Sequence, residues 1–391
     1  MENNFIILSV SYNLNINMKT KIQNLEDYFN NEIPTLIDSC KNIVKENSDI
    51  KAIYLVGGTI RDILSNIKPS EPDIAISGDY KKFSILLSKI YNGKVKFHTQ
   101  FLSSQIILSK PNFKEDYHID VNSLRTEKYH SPGNFPEIKK TKDIKRDLMR
   151  RDFTVNSIAL EISNNNELSL IDPYGGLKDI RNKIIKILHN KSFVDDPTRI
   201  FRAINYKFKN QFEIDKETIE LMQISIKDIK KINQYRIKKE IRIFFNSIVD
   251  IHKIEFAEKL HLFEEISKDL KIININRLKL SRLNIPRYLP IKINFLEKFG
   301  IILFNYNQKE IENILNWVQL NKSEKNKLLE IPNMNLIFTK FSEKKITTTE
   351  IFENLNNIPI EIIKSYNYVC ESNELKKIIE NYLNNKSTHP L

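Results

Sequence analysis

Glycine is scarce in this chain: eight in 391 residues, seven of them at or before Gly176, leaving Gly300 alone in the second half. Glycine serves positive-φ turns and close backbone approaches, and helix interiors avoid it. The distribution predicts a turn-rich α/β N-terminal part followed by an almost wholly helical remainder. Cysteine is scarcer still, with Cys40 and Cys370 far apart in sequence. They form neither a metal-ligand spacing nor a disulfide framework, which suits a reducing compartment; a cytoplasmic protein is expected. No apolar run approaches the roughly 18 residues a spanning helix needs, so no membrane partner is expected. The opening "MENNFIILSVSYNLNIN" has an apolar patch but lacks a basic start and a small-residue cleavage site, which makes it a poor secretory signal. Residues 1–17 read as a loose extension ahead of Met18.

Acidic side chains are in deficit. Lys and Arg number 61 against 49 Asp and Glu, for a formal charge of +12. Residues 201–300 carry 21 basic and 13 acidic groups, a net +8, so much of the excess sits in one central region. Such a surface attracts polyanions, nucleic acid above all; a lysine-rich solvated face is the competing reading. No protein partner can be inferred. The length suggests two or three domains.

The periodicities follow the glycine division. "KAIYLVGG" is a short apolar run ending in a turn, and "TIRDILSNI" has helical spacing. "PDIAIS", "SSQIILS" and "YHIDVN" alternate like half-buried strands. A helix at about 20–47 should precede them. Later, "ETIELMQISIKDIKKI", "RIKKEIRIFFNSIVDI" and "KIEFAEKLHLFEEI" repeat apolar residues every three or four positions. Pro286 and Pro290 suggest a break between helical layers.

Four stretches carry chemistry. Gly57 and Gly58 stand between a strand and a helix, where backbone can approach a phosphate and the helix start offers N–H groups; Arg61 lies on that helix. Glu71 and Asp73 flank Pro72. On a strand, residues two apart share a face, so both carboxylates could bind a divalent cation, and the proline places them at an edge or a strand start. Asp120, on another alternating strand, could pair beside them and complete the acid set that two-metal phosphoryl transfer uses. "MRRDFTVNS" sets Arg151 beside Asp152, with Asn156 four residues on. Arginine suits phosphate and aspartate suits ribose hydroxyls, or else a structural arginine partner. In "SFVDDPTRIFRAINYKF", Asp196 and Pro197 read as N-cap and N1, with Ile200, Ile204 and Phe208 as the apolar stripe. Arg199, three residues after Asp196, would project to the same side and could read a base edge with it.

Taken in order, these elements resemble the class II tRNA nucleotidyltransferase and bacterial poly(A) polymerase family. The resemblance rests on "LVGGTIRD" with "EPDIAI", "RRDFTVNSIAL", "LIDPYGGLKDIRNKIIKIL", "DDPTRIFRA" and "YRIKKEI", and spans about residues 50–245. It implies an α/β nucleotidyltransferase head with a small mixed or antiparallel five-stranded sheet and flanking helices, then an all-α neck, body and tail. Mapped onto this chain, these are an extension at 1–17, a catalytic head at 18–165, a neck with the nucleotide-selecting template at 166–250 and an RNA-binding body and tail at 251–391.

The implied activity is addition of CMP and AMP from CTP and ATP, without a nucleic-acid template, to the 3′ end of tRNA, using Mg2+ with Mn2+ as the alternative ion. By the same resemblance Glu71 and Asp73 would hold the metals and Asp120 would help activate the 3′-hydroxyl. Gly57, Gly58 and Arg61 would contact the triphosphate, and Arg151, Asp152 and Asn156 the ribose and phosphates. Asp196 and Arg199 would pair with the incoming base. The family has Asp where this chain has Glu71. CCA-adding, A-adding, CC-adding and poly(A) activities all fit, as does a non-catalytic RNA-binding relative.

Overall fold

The computed structural model describes residues 25–29, 33–109, 116–162, 168–247, 251–271, 273, 293–343 and 346–388. The expected extension at 1–17 and the break at Pro286 and Pro290 lie outside the described residues. The chain forms two compact units, one of residues 1–131, 135–192 and 212–218, the other of 132–134, 193–211 and 219–391.

The first unit is α/β. Its strands of four or more residues are β1 (Ile50–Val56), β2 (Asp73–Gly78), β3 (Lys94–His98), β4 (Ser103–Leu108), β5 (Tyr117–Ser123), β6 (Arg125–Lys128), β7 (Glu137–Lys140), β8 (Ala159–Ile162) and β9 (Leu168–Ile171). Seven of these form one sheet in the order β3-β4-β5-β2-β1-β8-β9, while β6 and β7 make a separate hairpin. The sheet is mixed, as expected, but has seven strands instead of five. The added β3 and β9 are its two end strands. β3 reads "KVKFH" and keeps no residue buried, so no alternation signals it.

Two faces follow from the period of two. Register sets Ile53 against Ile76, Leu55 against Ile74, Ile74 against Val121, and Ile119 against Ile106. These side chains are fully buried under the helices Leu36–Glu46 and Tyr80–Ile90, which pack on β1, β4 and β5. Asp73, Ala75, Asp120 and Asn122 consequently point to the opposite face. There Tyr54, Val56, Ala75, Leu124, Leu148 and Ala159 form a second apolar cluster, leaving the β2 start and the middle of β5 as its polar end. The helix expected at about 20–47 is broken: its described part is a 3-10 turn at Leu25–Tyr28 and a helix at Leu36–Glu46, with Thr35 left-handed at φ 60° before it.

The second unit is helical. Phe201, Phe244, Phe245, Phe263, Phe295 and Phe299 interlock in its core, with ring centroids 4.9–6.4 Å apart. The three apolar repeats become Lys216–Ser225 running into a 3-10 turn at Ile226–Lys231, then Gln234–Asn246, then Ile251–Lys259 and Leu262–Ile266. Asn307, Asn321 and Thr347 each close a capping box with the glutamate three residues on, which sets those helix starts locally. Among the described residues no helix is long and apolar enough to cross a membrane.

Gly300 explains its own isolation. It lies where helix Phe295–Leu303 crosses helix Ile360–Val369, and a Cβ there would fall 2.6 Å from the Ser365 hydroxyl. That hydroxyl donates to the carbonyls of Glu297 and Glu361, so it cannot swing aside freely. Gly300→Ala gains about 1 kcal/mol of helix propensity but overpacks the crossing, which costs about 1–3 kcal/mol. A lowered midpoint in thermal or urea denaturation is expected, with Ser365→Gly recovering part of it.

Candidate active site

Asp73 opens β2, and parallel pairing sets it directly against Asp120 of β5. The backbone leading into it is pinned at three successive residues. The Thr59 hydroxyl donates to the Glu71 carbonyl at 3.3 Å, the Asp120 N–H donates to the Pro72 carbonyl at 3.0 Å, and the Asp73 N–H donates to Thr59 Oγ1 at 2.8 Å. Pro72 stands at the strand start, as expected, but β2 is a central strand, flanked by β5 and β1. The edge alternative therefore fails, because the missing proline N–H falls just outside the ladder. Glu71 likewise precedes the strand, so strand periodicity does not align it with Asp73. It reaches the acid face through His118 of β5, whose Nδ1 lies 3.1 Å from Glu71 Oε1.

Each carboxylate has a neighbour. Asn122 Nδ2 donates to Asp73 Oδ1 at 3.0 Å, Arg151 Nη1 faces Asp73 Oδ2 at 3.5 Å, and Gln105 Nε2 donates to Asp120 Oδ1 at 3.0 Å. Burial pushes the Asp73 carboxyl up, Arg151 opposes that, and the Asp120 charge adds to it. Burial and then Asp120 push Glu71 up against the opposing His118. With side chains so placed, no three His, Cys, Asp or Glu among the described residues stand close enough together to hold a metal ion.

Gly57 begins the helix Gly57–Leu64 at φ +63°. A Cβ there would sit 2.6 Å from Asp73 Oδ2 and 2.8 Å from Arg151 Nη1, so only glycine leaves this cradle open. Gly58 lies against the Arg61 guanidinium, 3.4 Å from where its Cβ would be. Arg61 is only 6% exposed and donates to Asp62 and, at 2.8 Å, to Asn156 Oδ1. Asn156 in turn donates to Asp152 Oδ1, which also accepts the Phe153 N–H. Arg61, Asn156 and Asp152 thus form one buried chain behind the glycine turn, whereas Arg151 reaches Asp73, an acid of the set.

Sequence reading passed over Asp147. It is fully buried and takes the Arg125 N–H together with Arg150 and Arg151. Burial by itself would raise its carboxyl, but Arg150 and Arg151 outweigh that and hold it below the ordinary range. The signal was the D-x-x-R-R spacing of three and four residues. His118, Asn122 and Gln105 were also missed; alternation with Asp120 along β5 could have marked the first two, whereas Gln105 meets Asp120 only through the register of β4 with β5.

In the second unit, Asp196 Oδ1 accepts the Thr198 N–H, the Thr198 hydroxyl and, at 2.7 Å, Arg236 Nη2. The helix runs Thr198–Asn210 with Pro197 at its N-cap position, one residue beyond the expected start: Pro197 is already in the helical region, and its carbonyl accepts the Ile200 N–H at 3.1 Å. The stripe begins as expected, with Ile200 and Ile204 fully buried. Arg199 is 4% exposed, so it is held inside the unit and does not project freely beside Asp196. Arg236, from the "YRIKKEI" stretch, is the charge partner that local spacing could not reveal. Glu240, one turn further, is raised by burial and by Asp196, with Arg202 and Arg236 opposing.

Residues 53–186 match the family described as the Poly A polymerase head domain. The chain is 26% identical to an A-adding tRNA nucleotidyltransferase of Halalkalibacterium halodurans over 94% of this chain and 85% of that protein. It is 32% identical to an A-adding tRNA nucleotidyltransferase of Geobacter sulfurreducens over 56% of this chain, which spans only 24% of that longer protein. Among solved structures, a CCA-adding enzyme in apo form II shares the fold, with a TM-score of 0.67 and 22% identity over 93% of this chain and 87% of that one. The ordered motifs, the Poly A polymerase head domain at residues 53–186 and these relatives agree with one another and support a class II tRNA nucleotidyltransferase.

Proposed function

We propose that this chain transfers CMP, AMP or both from CTP and ATP to the 3′ end of tRNA, in the cytoplasm, releasing pyrophosphate. The observation that carries the reading is the register pair Asp73 and Asp120 beside the open Gly57 cradle. Hard carboxylate oxygens on one sheet face, with unbalanced negative charge, suit a divalent cation. Asp73 and Glu71 would hold it, Mg2+ first and Mn2+ as the alternative. When bound, it supplies positive charge where the phosphates and the attacking oxygen carry negative charge. The longer Glu71 side chain still offers oxygen, from a residue anchored two positions before the first strand residue.

The remaining roles follow from placement. Gly57 and Gly58 leave room for a triphosphate at the helix start. Arg151, already turned toward Asp73, would pair with phosphate oxygens, while Asp147 keeps its guanidinium in place. Asp120, held by Gln105, would accept the proton of the 3′-hydroxyl as its oxygen attacks the α-phosphorus and the bond to pyrophosphate breaks. Arg61, Asn156 and Asp152 would act from behind, fixing the glycine turn and the ribose side of the site. Asp196 and Arg199 would select the base, with Arg236 holding Asp196 in place, and the helical residues beyond 250 would grip RNA.

Incubation with Mg2+, CTP, ATP and tRNA ending at its discriminator base should lengthen the RNA by up to three nucleotides, read by sequencing 3′ ends. A long adenylate ladder on unrelated RNA would identify a poly(A) polymerase instead. Silence relieved by Glu71→Asp would identify a relative that has lost catalysis. Asp73→Ala should lower the rate about a thousandfold or more.

Asp73 also yields a pH prediction. Its carboxyl is raised above the ordinary 3.8, so the folded state holds its proton longer than the unfolded chain, and stability falls as pH rises through the folded value. In chelator at neutral pH, Asp73→Asn should therefore melt higher than the native chain while remaining inactive. That difference should vanish below the ordinary carboxylate range. Arg199→Ala should change the ATP-to-CTP ratio of kcat/KM by about tenfold or more, because base edges lose a donor.

A further inference from the structure

We propose that His118 is the positioning residue that makes Glu71 usable as a cation ligand, so that one face of β5 sets the whole acid site. This rests on the reading of Glu71 and Asp73 as ligands. The argument starts with the backbone. Glu71, Pro72 and Asp73 are each tied by a hydrogen bond, through Thr59 and the Asp120 N–H, so the segment cannot shift to bring a longer side chain into place. What remains adjustable is the Glu71 side chain itself, partly exposed at 40%. Left alone, a glutamate there would sample several rotamers, and ordering it would oppose ion binding.

β5 supplies the restraint. Its alternation puts His118, Asp120 and Asn122 on one face. His118 Nδ1 holds Glu71 Oε1 at 3.1 Å, and Asn122 Nδ2 holds Asp73 Oδ1 at 3.0 Å. Asp120 lies between them in sequence, and its charge is felt by both acids. The same strand thus carries one acid and orients the other two. The contact engages Oε1 of Glu71, and Oε2 is the oxygen this arrangement would offer to an ion. Carboxylates that ligate metals are themselves held by outer-shell hydrogen bonds, and loss of such a partner typically costs 10–100-fold in affinity. An aspartate at 71 would be one methylene shorter and would not reach His118 in the same way, so the histidine matters because residue 71 is glutamate.

The test is direct binding of Mn2+ to the full chain, followed by the electron paramagnetic resonance signal of the free ion, with no turnover. His118→Ala should weaken binding about 10–100-fold, and His118→Gln, which keeps a donor, should lose less. In a Glu71→Asp background, His118→Ala should have little further effect. Native-like Mn2+ affinity in His118→Ala overturns the inference, as does a loss that persists in full in the Glu71→Asp background. Asp73→Ala separates the two levels of the argument. If it binds Mn2+ as the native chain does, the ligand reading itself fails; if it loses binding while His118→Ala does not, only the role of His118 fails.

Discussion

The head depends on one pairing, β2 with β5. Every other neighbouring pair in the seven-stranded sheet is antiparallel, and this parallel pair sets Asp73 beside Asp120. A slip of one residue would turn the acids into the apolar layer and Ile74 and Val121 out of it. The burial of Ile74, Ile76, Ile119 and Val121 therefore holds the acids in register. The Asp120 N–H bond to the Pro72 carbonyl extends that ladder by one step and fixes the entry to β2.

The electrostatics run against this arrangement. Asp73 and Glu71 are pushed up by burial and by Asp120, while the nearby arginines are shared. Arg150 is taken up by Asp147 and Glu127, and Arg151 divides itself between Asp147 and Asp73. Asp147 thereby serves as the anchor of the arginine pair, and the acid face is left short of positive charge. Strain of this kind is a familiar trade of stability for function. It is also what a divalent cation would relieve.

The second unit meets its requirements differently. Its core is aromatic, several of its helix starts are set by local capping boxes, and Gly300 marks a close helix crossing. Asp196 is held by Arg236, some forty residues on. A residue proposed to read a base must stay still, and an ion pair with additional hydrogen bonds from Thr198 provides that rigidity.

The sequence alone determined the division into an α/β part and a helical part, because glycine placement and apolar period are local properties. It also marked most of the acids and basic residues, since their motifs are contiguous. Tertiary structure decided the rest. Strand β3 has no buried residue to announce it. Glu71 falls outside the strand that seemed to carry it, and Arg61 turns inward to Asn156. His118, Asn122 and Asp147 owe their roles to partners that only strand register or burial brings near. Periodicity specifies which way a side chain faces along its own element, whereas contact between distant residues depends on how elements pair, and that is settled by burying the apolar faces together.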